Sequence, residues 1–130
     1  MTKQEFIAYW KETAEDDWTS VKILFEGRKF TFCLFTCHLV IEKLLKAHWV
    51  KDNIDDFPPR THNLIQLLSQ TELILEEDDI ILMRKMNNWN IEGRYPDYQR
   101  FFYQLCTLEY TENNLLKTEN LYQCLIQQLQ

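Results

Sequence analysis

The sequence predicts an all-α protein in which a few long helices pack into a bundle. The 130 residues include only two glycines and three prolines, whereas a sheet protein of this size would need many tight turns built from such residues. Apolar residues also recur at helical spacing along most of the chain. Because a chain of this length buries roughly two-thirds of the surface that it exposes when unfolded, we expect a single domain over residues 1–130.

The first two helices are predicted by contrasting apolar patterns. From about Lys3 to Phe25 the apolar residues form one stripe, which indicates a helix with one buried face. Gly27 then supplies a C-terminal stop and a short turn. From Phe30 to about Lys51 the chain is apolar around most of the helical circumference. We therefore expect this second helix to lie in the middle of the bundle.

The third helix is predicted to be short and to follow a connection that contains Pro58 and Pro59. Two consecutive prolines cannot continue a helix. Thr61 is expected to be the N-cap of a helix from about His62 to Gln70.

Two further helices are predicted in the second half of the chain. A helix from about Glu77 to Asn90 begins beside the acidic run 76–79, which suits the positive end of a helix dipole. Residues 101–103 are ambiguous between an extended stretch and the start of a helix. The last helix is expected from about Leu108 to Leu129.

The segment between these two helices is predicted to be a constrained loop that aims a cation. Gly93 can adopt positive φ, and Pro96 fixes its own φ and pushes Tyr95 out of the helical region. An arginine held in such a loop presents a planar fork of donors suited to phosphate or carboxylate. The alternative is that Arg94 caps the preceding helix or pairs with a buried acid.

A polar ridge on the otherwise apolar second helix provides a possible partner for that arginine. His38, Glu42 and Lys46 stand at i, i+4 and i+8. They either form a solvated ladder of ion pairs, the commoner arrangement, or line a cleft between helices. With Arg94 and an aromatic ring, such a cleft would suit the phosphate and base of a nucleotide. The candidate ligand-binding residues are therefore His38, Glu42, Lys46, Arg94 and Tyr95, with Lys43 and His62 as secondary candidates.

Several other classes of site and location are disfavoured by composition. Cys33 and Cys37 share a helix face, but His38 points about 100° away and no second ligand pair follows at zinc-like spacing. We expect no metal site, no cofactor and reduced thiols. The net charge of −6 argues against broad contact with duplex DNA. Without a signal peptide or a membrane-spanning apolar run, the chain is expected to be cytoplasmic.

Four segments together make the sequence resemble the HEPN domains. They are Ala14–Trp18 in the first helix, His38–Ala47 in the second, Thr61–Leu64 opening the third and Gly93–Pro96 after the fourth. The resemblance covers nearly the whole chain in the expected order. It implies an up-and-down bundle of about five helices that is often a homodimer, frequently encoded beside a minimal nucleotidyltransferase and sometimes part of a toxin–antitoxin pair. Apolar surface left over on the crowded bundle also favours a symmetric homodimer.

The sequence departs from the catalytic pattern of that family. Many HEPN domains are metal-independent ribonucleases that carry an Arg-x4–6-His motif, but here the positions after Arg94 hold Gln99, Arg100 and Phe101. The imidazole needed for attack by the 2′-hydroxyl is missing, so no catalytic residue is assigned. We expect a noncatalytic module that binds a nucleotide or RNA phosphate. The alternatives are a ribonuclease that combines Arg94 with His38 or His62 in space, and a structural dimer without a ligand.

Overall fold

The all-α class is confirmed by the computed structural model, which describes the backbone of residues 1–130 and every side chain except that of Pro96. The described chain forms six helices, one more than the five or so predicted. They are α1 (Lys3–Glu26), α2 (Phe30–Asp52), α3 (Leu64–Ser69), α4 (Glu77–Arg94), α5 (Pro96–Leu105) and α6 (Leu108–Gln128). The additional helix is α5, which includes residues 101–103. Within the described residues, no helix is both long enough and apolar enough to span a bilayer.

Helices α1 and α2 form an antiparallel hairpin. Thr2 and Glu5 cap the start of α1 reciprocally, each side chain bonding the backbone of the other residue. The predicted apolar stripe of α1 is buried, and the ammonium of Lys3 donates 2.8 Å hydrogen bonds to the carbonyls of Val50 and Asn53. The start of α1 is thereby fixed to the end of α2.

Helix α2 lies in the middle of the bundle, as its apolar circumference predicts. It packs against α1, α3, α4 and α6, and most of its residues are buried. Cys33 and Cys37 are among them, where free cysteine is a small core residue. Burial is also the main reason why the pKa of the Cys37 thiol is raised.

The start of α3 differs from the prediction. The N-cap is Asn63 and not Thr61, because the Asn63 side chain accepts hydrogen bonds from the backbone N–H groups of Ile65 and Gln66. The hydroxyl of Thr61 instead accepts from the N–H of Asn63, one step earlier in the same turn. Residue 62 therefore lies outside the helix, in the segment that enters it.

The constrained loop predicted around Arg94 is wrong in part. Helix α4 continues through Gly93 and ends at Arg94, and neither glycine of the chain has positive φ. Tyr95 is extended, with φ −108° and ψ 124°, as expected for a residue that precedes proline, and α5 begins at once. The chain thus makes a sharp joint between two helices at a single residue.

In the turn after α1, the left-handed backbone conformation lies at a residue other than glycine. Gly27 is the C-cap, as predicted, but its φ is −79°. The left-handed conformation falls on Arg28, with φ 59°. The backbone N–H groups of Arg28 and Lys29 donate to carbonyls in the last turn of α1, which completes the stop.

Candidate functional site

The polar ridge of α2 is buried, so the solvated ladder expected as the commoner arrangement is wrong. His38, Glu42 and Lys46 are all classed with the buried residues of the core. A buried charge must be paired and hydrogen-bonded. The contacts of Glu42 show how this requirement is met.

The Glu42 carboxylate is the centre of the cluster. One of its oxygens, Oε2, lies 3.1 Å from the ammonium of Lys46. The other, Oε1, accepts a 2.8 Å hydrogen bond from Nδ1 of His62 and lies 3.8 Å from Nδ1 of His38. The Lys46 ammonium also lies 5.3 Å from the centroid of the Trp10 ring. Lys46 is thus occupied by structural contacts and neutralises Glu42.

His38 and Glu42 both hold His62. His38 bonds its backbone, and Glu42 bonds its side chain. Nε2 of His38 lies 2.8 Å from the carbonyl oxygen of His62 and must carry the hydrogen, since a carbonyl only accepts. Burial lowers the pKa of His38, which agrees with a neutral ring. Residue 62 is therefore held at two points, by its carbonyl and by its imidazole.

His62 presents its second ring nitrogen to the surface. Because a carboxylate only accepts, Nδ1 of His62 carries a hydrogen, and Nε2 is the nitrogen that points away from Glu42. The His62 side chain is 52% exposed. Its Nε2 lies 3.5 Å from Nη2 of Arg94, at the outer limit of a hydrogen bond. Two residues separated by 32 positions in the chain thus meet at one point.

Arg94 is oriented by neutral groups. Its Nε donates a 3.0 Å hydrogen bond to Oδ1 of Asn90, one turn earlier in α4. Its guanidinium carbon lies 5.4 Å from the centroid of the Phe35 ring, a cation–π contact. Among the described side chains, none forms a salt bridge with Arg94. Its charge is therefore not neutralised by any described side chain.

A shallow polar pocket of about 220 Å³ lies beside this contact. It is lined by His62, Asn63, Asn87, Asn90 and Ile91. Asn87 is fixed there, because its Nδ2 donates to Oδ1 of Asn63 and its Oδ1 accepts from the N–H of Leu64, both at 3.0 Å. The pocket is thus bounded by amide side chains, one imidazole and Ile91, and Arg94 contacts two of these residues, His62 and Asn90.

The structure brings together five of the seven residues that the sequence nominates. His38, Glu42, Lys46, His62 and Arg94 form one cluster, in which His62 has a larger part than a secondary candidate. Lys43 instead pairs with Asp17 of α1 at 2.5 Å. Tyr95 has an exposed side chain, and its hydrogen bonds within the described chain are backbone bonds at the joint between α4 and α5.

Three residues of the site were not nominated from the sequence. Phe35 lies three positions before His38 and so continues the ridge of α2 by one turn. Asn90 lies four positions before Arg94, but the relation is visible only when α4 is extended past residue 90. Asn87 carries no signal in the sequence, since its contacts are with a distant segment.

Comparison with known proteins gives a family match for this chain. A family model described as HEPN domain matches residues 7–129, which include the whole cluster. No curated protein and no solved structure gives a significant match.

Proposed function

The chain belongs to the HEPN domain family, and from this premise we propose that it is a noncatalytic binding module that holds a phosphate of a nucleotide or nucleic acid between His62 and Arg94. The observation that carries the proposal is the contact between these two side chains, 3.5 Å apart at the protein surface. The Arg94 guanidinium can donate hydrogen bonds to an anion, His62 can do so only when Nε2 also carries a hydrogen, and both side chains are oriented by other side chains.

The electrostatics of the cluster favour an anion. Glu42 and Lys46 neutralise each other below the surface, while the Arg94 charge is unpaired among the described side chains. A guanidinium matches phosphate geometry with two parallel donors. Protonation would make Nε2 of His62 a second donor, which repels Arg94 unless an anion lies between them.

The proposal includes a symmetric homodimer. Ile54 and Ile74 are 99% and 91% exposed, and their loops lie side by side, because the Asn53 side chain donates to the carbonyl of Gln70. Apolar surface of this kind on a small bundle is commonly covered by another subunit. Light scattering at tens of micromolar protein should give the mass of a dimer, and a monomer would refute this part.

A separately encoded nucleotidyltransferase is proposed as the working partner. Membership of the HEPN family supports this, together with the lack of the family's catalytic motif in the sequence. Where a nucleotidyltransferase is encoded beside the gene, its co-expression with this chain should give a complex that survives gel filtration. Separate elution of the two proteins would contradict the pairing.

Calorimetric titration with inorganic pyrophosphate and with ADP tests the phosphate site. Loss of a charge-assisted hydrogen bond costs about 1.5–3 kcal/mol, so Arg94→Ala should weaken both ligands by roughly tenfold or more. Arg84→Ala, an exposed arginine on the same helix, is the matched control and should change neither affinity. Equal affinities of the wild type and Arg94→Ala would refute the site. Absence of heat with the wild type would leave the structural dimer as the function.

Metal-independent RNA cleavage is a second candidate, favoured by one observation. The Glu42 carboxylate orients the His62 imidazole and leaves Nε2 exposed beside Arg94, an arrangement that can serve a general base. Under the leading proposal, purified protein leaves single-stranded RNA intact in the presence of a chelator. Cleavage that is lost in both His62→Ala and Arg94→Ala would replace the binding module by the ribonuclease.

A further inference from the structure

A larger cavity lies next to the phosphate site, between the start of α2 and α5. Its volume is about 420 Å³, within the range of small-ligand sites. The walls combine four aromatic residues with three polar side chains: Phe32, Phe35, Phe102, Tyr103, Thr31, Gln99 and Arg100. Such a lining, mostly apolar with a few polar groups, is typical of a pocket for a planar organic ring.

Two of the aromatic residues that line the cavity are exposed, whereas Phe102 is buried. Phe32 is 58% exposed and Tyr103 is 73% exposed. Phe32 and Phe35 are stacked, with centroids 5.9 Å apart and planes at 21°. A nucleobase stacks on exposed aromatic faces of this kind regardless of its sequence identity. The cavity therefore offers a surface that a base can cover.

Phe35 connects the cavity with the phosphate site. The same ring that lines the cavity lies 5.4 Å below the Arg94 guanidinium. Gly93, the residue before Arg94, also lines the cavity. A ligand held by Arg94 through its phosphate would thus have its other end beside the cavity.

We propose that this cavity binds the base of the nucleotide whose phosphate is held at His62 and Arg94, an inference that rests on the proposed function. Gln99 would contact the base edge. Its Nε2 donates a 3.1 Å hydrogen bond to the carbonyl of Gly93, which orients the amide and leaves Oε1 to accept from the ligand. Arg100, on the same helix, adds donors at the cavity wall.

The test compares two ligands that share a diphosphate and differ in the nucleoside. Titrations of the full chain with pyrophosphate and with ADP should show ADP binding about tenfold more tightly, as one stacked base contributes. Tyr103→Ala should remove most of this difference and leave pyrophosphate unchanged. Tyr98→Ala, also on α5 and exposed, is the matched control and should keep the difference. Thermal melts of both variants check that folding is intact.

The outcomes separate this inference from the proposed function. If pyrophosphate binds through Arg94 but ADP binds no more tightly, or if Tyr103→Ala keeps the full difference, the base site is wrong and the phosphate site stands. If ADP and adenosine bind with equal affinity, and this affinity falls in Tyr103→Ala but not in Arg94→Ala, the base site is supported and the phosphate site is wrong. If none of the three binds, both are wrong. Competition by a short single-stranded RNA that also needs Tyr103 would identify nucleic acid as the source of the base.

Discussion

Gly93 packs so closely against Phe35 that a β-carbon at position 93 would lie 2.7 Å from Cδ2 of that ring. A β-carbon there would also lie 3.2 Å from Cγ and 3.4 Å from Cβ of Phe35, so the contact involves the base of the side chain and not its flexible end. The glycine is required for close approach of α4 to α2, not for an unusual backbone angle. The Phe35 ring in turn supports the guanidinium of Arg94.

Gly93→Ala should destabilise the protein and weaken phosphate binding. In a free helix the substitution would be favourable by about 1 kcal/mol, but overpacking costs about 1–3 kcal/mol. The clash should prevail, because Phe35 can relieve it only by leaving its position under Arg94. We expect a net loss of about 1 kcal/mol in denaturant unfolding and weaker pyrophosphate binding by calorimetry.

A double-mutant cycle with Phe35→Ala is the control. Without the ring there is no clash, so adding Gly93→Ala to Phe35→Ala should stabilise the protein by up to about 1 kcal/mol through helix propensity. If Gly93→Ala has the same effect in both backgrounds, the Gly93–Phe35 contact does not determine the packing of α4.

Most of the fold could be predicted from the sequence because it rests on local patterns. The apolar stripe of α1 and the apolar circumference of α2 each extend over more than 20 residues. The predicted ends of both helices agree with the observed ends to within about one residue. The joint between α4 and α5 at Tyr95 was harder to predict from the sequence. Gly93 and Pro96 are turn signals, and nothing local shows that here they serve helix packing and a helix start.

The candidate site was only partly predictable. The i, i+4, i+8 spacing of His38, Glu42 and Lys46 placed them on one ridge, but their burial depends on Trp10 and on the segment around residue 62, which are distant in the chain. His62 could not be paired with Glu42 from the sequence for the same reason. Contacts between separate helices leave no periodic signal.

Replacing Arg28 by glycine should stabilise the protein. Arg28 is the non-glycine residue with positive φ in the described chain, and an L-residue in the left-handed region costs about 1–2 kcal/mol. Part of the gain is offset, since glycine has more freedom in the unfolded chain. We expect a net gain of about 0.5–1 kcal/mol in the free energy of unfolding.

Gly27→Ala is the matched comparison for that variant. Gly27 has φ −79°, and a β-carbon there would meet its nearest atom, the carbonyl oxygen of Ile23, at 3.4 Å. Alanine should therefore be tolerated or slightly stabilising. Destabilisation by Arg28→Gly together with tolerance of Gly27→Ala would show that the Arg28 side chain has contacts that outweigh its backbone strain.

Acid should destabilise the fold through two buried histidines. Burial lowers the pKa of both His38 and His48, so below pH 6.5, the usual value, the unfolded chain binds more protons than the folded chain. Stability is then fully present above about pH 6.5 and falls as the pH decreases, by up to about 1.4 kcal/mol per pH unit for each histidine. Burial raises the pKa values of Asp79 and Glu92, which opposes this trend at lower pH.

Denaturant unfolding at pH 7.5, 6.5 and 5.5 measures this dependence. His48 donates from Nε2 to the carbonyl of Leu125 at 2.9 Å, a bond that a glutamine amide can replace. His48→Gln should lower the stability at pH 7.5 and reduce the loss between pH 6.5 and 5.5. An unchanged pH dependence in this variant would exclude His48 as a source of the acid sensitivity.

We expect Glu42 and Lys46 to behave as a buried ion pair, so that replacing only one of them destabilises the fold. Their side chains are only 8% and 10% exposed, and removing one member of such a pair costs about 3–5 kcal/mol, because the other charge stays buried without its ion-pair partner. Glu42 keeps its hydrogen bond with His62, so the loss in Lys46→Met should lie at the lower end of this range. Glu42→Met and Lys46→Met should each lower the free energy of unfolding by that order. The double variant should recover most of the loss, since apolar residues of similar volume often replace a buried pair without a penalty.

The double variant also separates the stability of the fold from the function of the site. Without Glu42, His62 loses the carboxylate that orients its ring, although its carbonyl can still accept from His38. We therefore expect near-normal melting but a several-fold loss of pyrophosphate binding. Full binding in the stable double variant would mean that Arg94 alone holds the phosphate and that His62 has no part in it. Failure of the second substitution to restore stability would mean that Lys46 depends on contacts other than Glu42, and the contact of its ammonium with the Trp10 ring would be the first to examine.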